Sequence, residues 1–169
     1  NHISASVTEC HIIDSNIDFK WSWSQLSRRD ILLNDIEFIK KHMTLLALDV
    51  VIANLREDYV DQLYEDSSFK TIASAKALWS LVTEKVSEGI IRKNFNDEKW
   101  DWKVLTKRFC ESMHITQLGN DRWVNKLDWD YLSEHLDIVR IQDNLSLYVD
   151  RWNWKCITSR AEHEFLLSN

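Results

Sequence analysis

Apolar residues recur along this chain at spacings of three and four, which places them on one face of an α-helix. Leu45, Leu48, Ile52, Leu55 and Tyr59 make one such row, and Leu46, Ala47, Val50 and Val51 fill in its flanks. That pattern predicts one longer helix over 43–65, apolar nearly all round in its first turns and therefore buried. Ile72, Ala75, Trp79, Val82 and Val86 make a second row. It predicts a helix over about 69–88, with Ser67 or Ser68 as its cap and Gly89 just past its end.

Elsewhere the rows are short and open on a recurring motif. Trp21-Ser22-Trp23-Ser24-Gln25-Leu26-Ser27-Arg28-Arg29 aligns with Trp100-Asp101-Trp102-Lys103-Val104-Leu105-Thr106-Lys107-Arg108 and with Trp152-Asn153-Trp154-Lys155-Cys156-Ile157-Thr158-Ser159-Arg160. The shared pattern is W-[SDN]-W-x-x-[LI]-[ST]-x-R. A further copy, from Leu127 to His135, has Leu for the first Trp and His for the Arg. The motif reads as a helix start. Ser22, Asp101, Asp128 and Asn153 are preferred N-caps, whose side-chain oxygen accepts a free N–H of the first turn. The second aromatic is then the first helical residue, N1. The residue before the cap and the Leu or Ile at N4 form a hydrophobic staple, and Gln25 at N3 completes a capping box. The Arg falls at N7, where a cation favours the negative end of the helix dipole or bridges to the next repeat.

A second signature follows each copy. Glu37-Phe38-Ile39 and Glu164-Phe165-Leu166 match closely, and Trp123-Val124 and Tyr148-Val149 are looser versions. Each sits in a short amphipathic stretch opened by a polar residue such as Asn34, Asn120 or Asn144. The unit is thus a pair of short helices. Trp102 to Trp129 is 27 residues and Trp129 to Trp154 is 25, a period near 26. Trp79-Ser80-Leu81-Val82-Thr83-Glu84-Lys85 reads as a degenerate copy that keeps the aliphatic, the Thr and the base but lacks cap and staple. No copy is recognisable near position 50. Ile12-Ile13-Asp14-Ser15-Asn16 before Trp21 resembles Ile90-Ile91-Arg92-Lys93-Asn94 before Trp100, so 1–19 reads as the second half of an incomplete preceding unit.

These units resemble the tandem WDW-type repeats of long, mostly uncharacterised prokaryotic and giant-virus proteins. The resemblance covers about 1–40 and 94–169, and 43–93 departs from it. It implies an accessory region of a larger multidomain protein. The fold class expected is all-α: an array of short helix pairs, irregular and solenoid-like, with a longer buried central helix. It is expected as a single domain over 1–169, with units near 20–42, 100–126, 127–151 and 152–169 and a divergent segment at 43–93, cut from a longer chain.

Composition narrows the picture. Two glycines and no proline in 169 residues argue against a sandwich or barrel, and they leave no Gly-rich phosphate loop. Twenty-one basic against 27 acidic residues give a net charge of −6, which repels nucleic acid and anionic membrane at long range. No apolar run spans a bilayer. Three cysteines, Cys10, Cys110 and Cys156, read as reduced thiols of a cytoplasmic protein rather than a disulfide framework.

The nine tryptophans read first as packing devices, since six of them lie in paired helix starts. The functional alternative is an exposed Trp/Arg surface that stacks on bases, sugars or methylated cations. Arg29, Arg108 and Arg160 are the candidate binding face, able to form a row for phosphate. Cys110 and His114 share a helical face, and Cys10-His11 or Cys156 with His163 could join them. No C-x-x-C or H-E-x-x-H occurs, so no metal, cofactor or catalytic group is assigned. The expected function is non-enzymatic: a helical repeat module for protein–protein interaction or scaffolding. The alternatives are a nucleic-acid- or anion-sensing accessory domain and a regulatory domain of a larger enzyme.

Overall fold

The computed structural model describes residues 4, 6–112, 124–144, 146 and 148–167, with the side chains of 112 and 162–167 outside the description. Among these residues the chain is all-helical, with thirteen helices and no strand. It divides into two compact units, Asn1–Lys99 and Trp100–Asn169. No described helix is long and apolar enough to cross a membrane.

The first unit holds α1 (Cys10–Ser15), α2 (Trp23–Leu26), α3 (Asp30–Leu33), α4 (Ile36–His42), α5 (Leu48–Asn54), α6 (Glu57–Glu65), α7 (Ser67–Ile72), α8 (Lys76–Lys85) and α9 (Glu88–Lys93). The second holds α10 (Trp102–Ser112), α11 (Trp129–His135), α12 (Ile138–Asn144) and α13 (Trp154–Leu167). In every copy of the motif the second aromatic is the first helical residue: Trp23, Trp102, Trp129 and Trp154. Asp101, Asp128 and Asn153 accept the N3 backbone N–H as caps. Ser22 makes no side-chain cap bond, so the capping box expected with Gln25 lacks its serine half. The N4 residues Leu26, Leu105, Leu132 and Ile157 are all buried, as are Trp100, Leu127 and Trp152 before the caps.

The longer helix expected over 43–65 is absent. The chain breaks into α5 and α6 at Leu55, whose backbone is extended (ψ 154°) and whose side chain is buried. Acidic Glu57 and Asp58 then favour a fresh helix N-terminus. The helix expected over 69–88 is likewise two. Asp66, rather than Ser67 or Ser68, caps α7 by accepting from the Ser68 and Phe69 N–H groups. Val86 closes α8 in an extended conformation (ψ 148°), and Gly89 lies inside α9 rather than past a helix end. Leu136 ends α11 in the same way (ψ 142°). At Leu55, Val86 and Leu136 a buried aliphatic residue in the β region ends the helix without proline. No described residue has positive φ, so no described turn depends on glycine.

The second helices also differ from expectation. Asn34 and Asn144 close helices instead of opening them, each donating its side-chain amide to the carbonyl four residues back, Asp30 and Arg140. Asn16 and Asn94 do the same on Ile12 and Ile90. Asp35 is the residue that opens α4, accepting from the Phe38 N–H. Phe38 and Ile39 are buried as the signature predicts. Glu164-Phe165-Leu166 continues α13 rather than forming a second helix, and Tyr148-Val149 lies in a turn. Asn120 and Trp123 lie outside the described residues.

Candidate functional site

The seventh position of the motif, always Ser or Thr, joins one helix to the next. Ser27 Oγ donates to the Trp23 carbonyl (2.8 Å) and accepts from the Ala47 N–H (2.9 Å). Thr106 Oγ1 donates to Trp102 O (2.7 Å) and accepts from Asp128 N (3.0 Å). Ser133 Oγ donates to Trp129 O (2.7 Å) and accepts from Asn153 N (2.9 Å). Ser4 Oγ accepts from Ser22 N at 3.0 Å. Each time the accepted N–H belongs to the N-cap residue of a following helix. Ala47 shows that Leu46-Ala47-Leu48 occupies the place of the motif near position 50, with leucines where the other copies carry aromatics. The serine and threonine were visible in the sequence as a constant of the motif. Their role was not, because the partner lies about one period downstream.

The basic position makes the reverse contact. Arg160 donates from Nη1 to Ser133 O (2.7 Å) and from Nη2 to Leu136 O (2.8 Å). Arg29 Nη2 donates to Val7 O at 3.1 Å, and Lys85 Nζ to Leu55 O at 3.1 Å. Val7, Leu55 and Leu136 each stand three residues past the hydroxyl position of the preceding helix, a place that Ile52 fills for Leu55. Carbonyls there have left the helical ladder and need a donor. Arg29, Arg108 and Arg160 are all half-buried. The geometry therefore gives Arg29 and Arg160 a joint-forming task on backbone carbonyls of their own unit.

Two surface features remain. In the first unit, Ile12 (37% exposed), Ile17 (43%) and Phe19 (42%) are large apolar residues left exposed, and Trp21 is half-buried. Ile12, Asn16, Phe19 and Trp21 line a cleft of about 210 Å³. A tight turn fixes it: Phe19 N donates to Asn16 O, Trp21 N to Phe19 O, and Trp21 Nε1 to Asn16 O at 2.8 Å. The Phe19 and Trp21 rings meet edge to face, 4.8 Å apart. Exposed Glu9, His11, Asp18 and Lys20 stand near it in sequence. In the second unit an open groove of about 520 Å³ is lined by Glu134, Asn153, Lys155, Cys156, Ser159 and Arg160. Its polar groups are largely engaged: Asn153 Nδ2 donates to Asp130 Oδ1, Cys156 Sγ to Ser133 O, and Arg160 as above.

Cys10 and Cys110 are held as thiols. Burial, then Asp35, pushes Cys10 up to about 12, and burial, then Glu111, pushes Cys110 up to about 11 against the opposing charge of Arg140. No three metal-ligating side chains gather among the described residues, and His114 and the His163 side chain lie outside them. Asp14, Lys41 and His42 form a structural ionisable cluster. Asp14 Oδ1 meets His42 Nε2 at 2.5 Å and Asp14 Oδ2 accepts from Lys41 Nζ at 2.8 Å, while His42 packs on the Phe38 and Trp23 rings. Hydrogen bonds from Lys41 and His42 hold the Asp14 carboxyl below its ordinary range. A carboxyl depressed in the folded state adds stability above its unfolded value near 4, and that stability is lost as pH falls through the folded value. The unfolding midpoint should drop as pH falls below about 5 and on through the depressed value, and Asp14→Asn should flatten that part of the profile. An unchanged acid limb in Asp14→Asn would show that the pair adds nothing.

Compared with known proteins, the chain matches no family model, no curated protein and no solved structure.

Proposed function

We infer that this chain is a non-enzymatic helical module that binds a protein partner, with the shelf formed by Ile12, Ile17, Phe19 and Trp21 as a contact surface. The observation that carries this reading is the shelf itself. Exposed Ile12 and Phe19 line, with Asn16 and half-buried Trp21, a cleft whose backbone is already fixed, and exposed Ile17 lies between them in sequence. Contiguous exposed apolar surface with a polar surround is typical of a protein contact, and aromatic anchors held in place lose little entropy on binding. A phosphate-binding Arg row has less support, since Arg29 and Arg160 donate to backbone carbonyls and the net charge is −6. Scaffolding, or regulation of an enzyme joined to this module, would use the same kind of surface.

A photo-cross-linking residue placed at Phe19 of the full chain, in its native cells, should give discrete protein adducts. The same residue at Val139, exposed on α12, should not. Ile17→Asp should remove the adducts at position 19. Indistinguishable adduct patterns at positions 19 and 139 would overturn the assignment of the shelf.

A further inference from the structure

The hydroxyl joint described above is made at Ser4, Ser27, Thr106 and Ser133, and the chain displays a further half of it. Thr158 stands where Ser27, Thr106 and Ser133 stand in their copies. Its hydroxyl donates to Trp154 O at 2.8 Å, as theirs do to Trp23, Trp102 and Trp129. Ser27, Ser133 and Thr106 are buried and each accepts an N-cap N–H; Thr158 is exposed and accepts none among the described residues.

Trp154 repeats the pattern independently. Trp129 Nε1 donates to Val124 O (2.7 Å), five residues back, and Trp154 Nε1 donates to Val149 O (3.0 Å), also five back. The two indoles are therefore held alike. The Trp129 ring receives the Trp152 ring edge-on at 4.9 Å, and Trp152 is the residue before the cap of the following helix. Trp154 is 42% exposed. Thr158 and Trp154 lie four residues apart, so they share one face of α13. Among residues 154–161 of that helix, Cys156, Ile157 and Arg160 are the more buried, and Cys156 and Arg160 reach Ser133 and Leu136 at the end of α11.

We propose that the Trp154–Thr158 face of α13 is a docking site for one further helix start of the W-[DSN]-W type, whose first aromatic covers the Trp154 ring and whose cap N–H donates to Thr158 Oγ1. The face continues the α10–α11 and α11–α13 interfaces, and those interfaces specify what covers it. The third element of the joint is not available here. α11 ends at His135 and frees the Leu136 carbonyl for Arg160, whereas α13 runs on to Leu167, so the carbonyls of Thr158 and Ala161 stay inside a helix. The occupant therefore needs the aromatic and the cap, and its base at N7 is dispensable. This inference deepens the protein-interaction reading and rests on it, at a surface separate from the shelf.

The test uses a fluorescein-labelled peptide of residues 98–112, which carries Trp100, Asp101 and Trp102, titrated with the full chain. Saturable binding is expected. Thr158→Val and Trp154→Ala in the chain, and Trp100→Ala in the peptide, should each weaken it at least about tenfold, the size of one lost hydrogen bond or ring contact. Val139→Ser in the chain and replacement of the peptide's Arg108 by Gln should leave it within about twofold. Both altered positions of α13 are exposed, so circular dichroism of the variants should match that of the parent chain. Absence of saturable binding, or equal binding by parent, Thr158→Val and Trp154→Ala chains, overturns the proposal. Discrete adducts at position 19 together with no peptide binding would remove this site and leave the interaction reading standing. Specific peptide binding without adducts at position 19 would remove the shelf and keep this site.

Discussion

Trp79→Ala is expected to cost about 4 kcal/mol, the range for deleting a large buried aromatic and leaving a cavity. In a unit of this size that is a fall in unfolding temperature of about 20 °C. Trp79 is 3% exposed and meets Tyr64 edge to face and the Phe69 ring at a tilt, with centroids 6.1 Å away in both cases. Its Nε1 donates to Ala73 O at 2.6 Å, so the carbonyl of the residue that ends α7 also loses its donor. Lys99 Nζ lies 4.9 Å from the ring centroid and is held there by a bond to Lys70 O at 2.7 Å. Trp79→Phe should recover much of the packing but not the Ala73 bond. Trp154→Ala, at an exposed indole, should stay within about 0.5 kcal/mol when both variants are titrated with urea. Equal losses at the two sites would mean that burial does not rank the tryptophans of this chain.

That contrast bears on how much the sequence revealed. The helix starts were legible because a cap, an N1 aromatic and an N4 aliphatic act within five residues, and local interactions leave local patterns. The breaks at Leu55 and Val86 were not. A hinge residue there is itself apolar and buried, so the three-four row runs through the turn without a gap. With no proline and with Gly89 inside a helix, the usual punctuation is missing as well. The segment at 46–48 escaped notice because leucines do there what tryptophans do elsewhere.

The motif reads Arg29 and Arg160 as cations at the end of their own helices or as bridges to the next repeat, and it names no partner for either. Their partners lie 22 and 24 to 27 residues earlier, on the end of another helix, and no local rule finds such a contact. The shelf around Phe19 carried no signal either, because an exposed and a buried phenylalanine look alike in a pattern. Exposure at Trp154 is equally invisible from its motif, which matches that of Trp129.

The joint itself predicts the second large effect. Ser133→Ala removes a hydroxyl that is wholly buried and bonded twice, to Trp129 O and from Asn153 N. The Trp129 carbonyl keeps its helical partner, but the Asn153 N–H is left without an acceptor where water has little access. An unsatisfied buried donor costs about 1–3 kcal/mol, and a loss of about 2 kcal/mol is expected in urea titrations. Thr158→Ala alters the same position of the motif at an exposed site, and its loss should stay below about 0.5 kcal/mol. A Ser133→Thr variant, which keeps the oxygen, should lie near the parent, since Thr106 makes the same two bonds in its own copy. The order Ala far below Thr at 133, and no order at 158, is what a hydroxyl acting as acceptor between helices requires. A hydroxyl that only bonded back onto its own helix would be weakly destabilising there, and alanine would then equal or exceed serine at both positions.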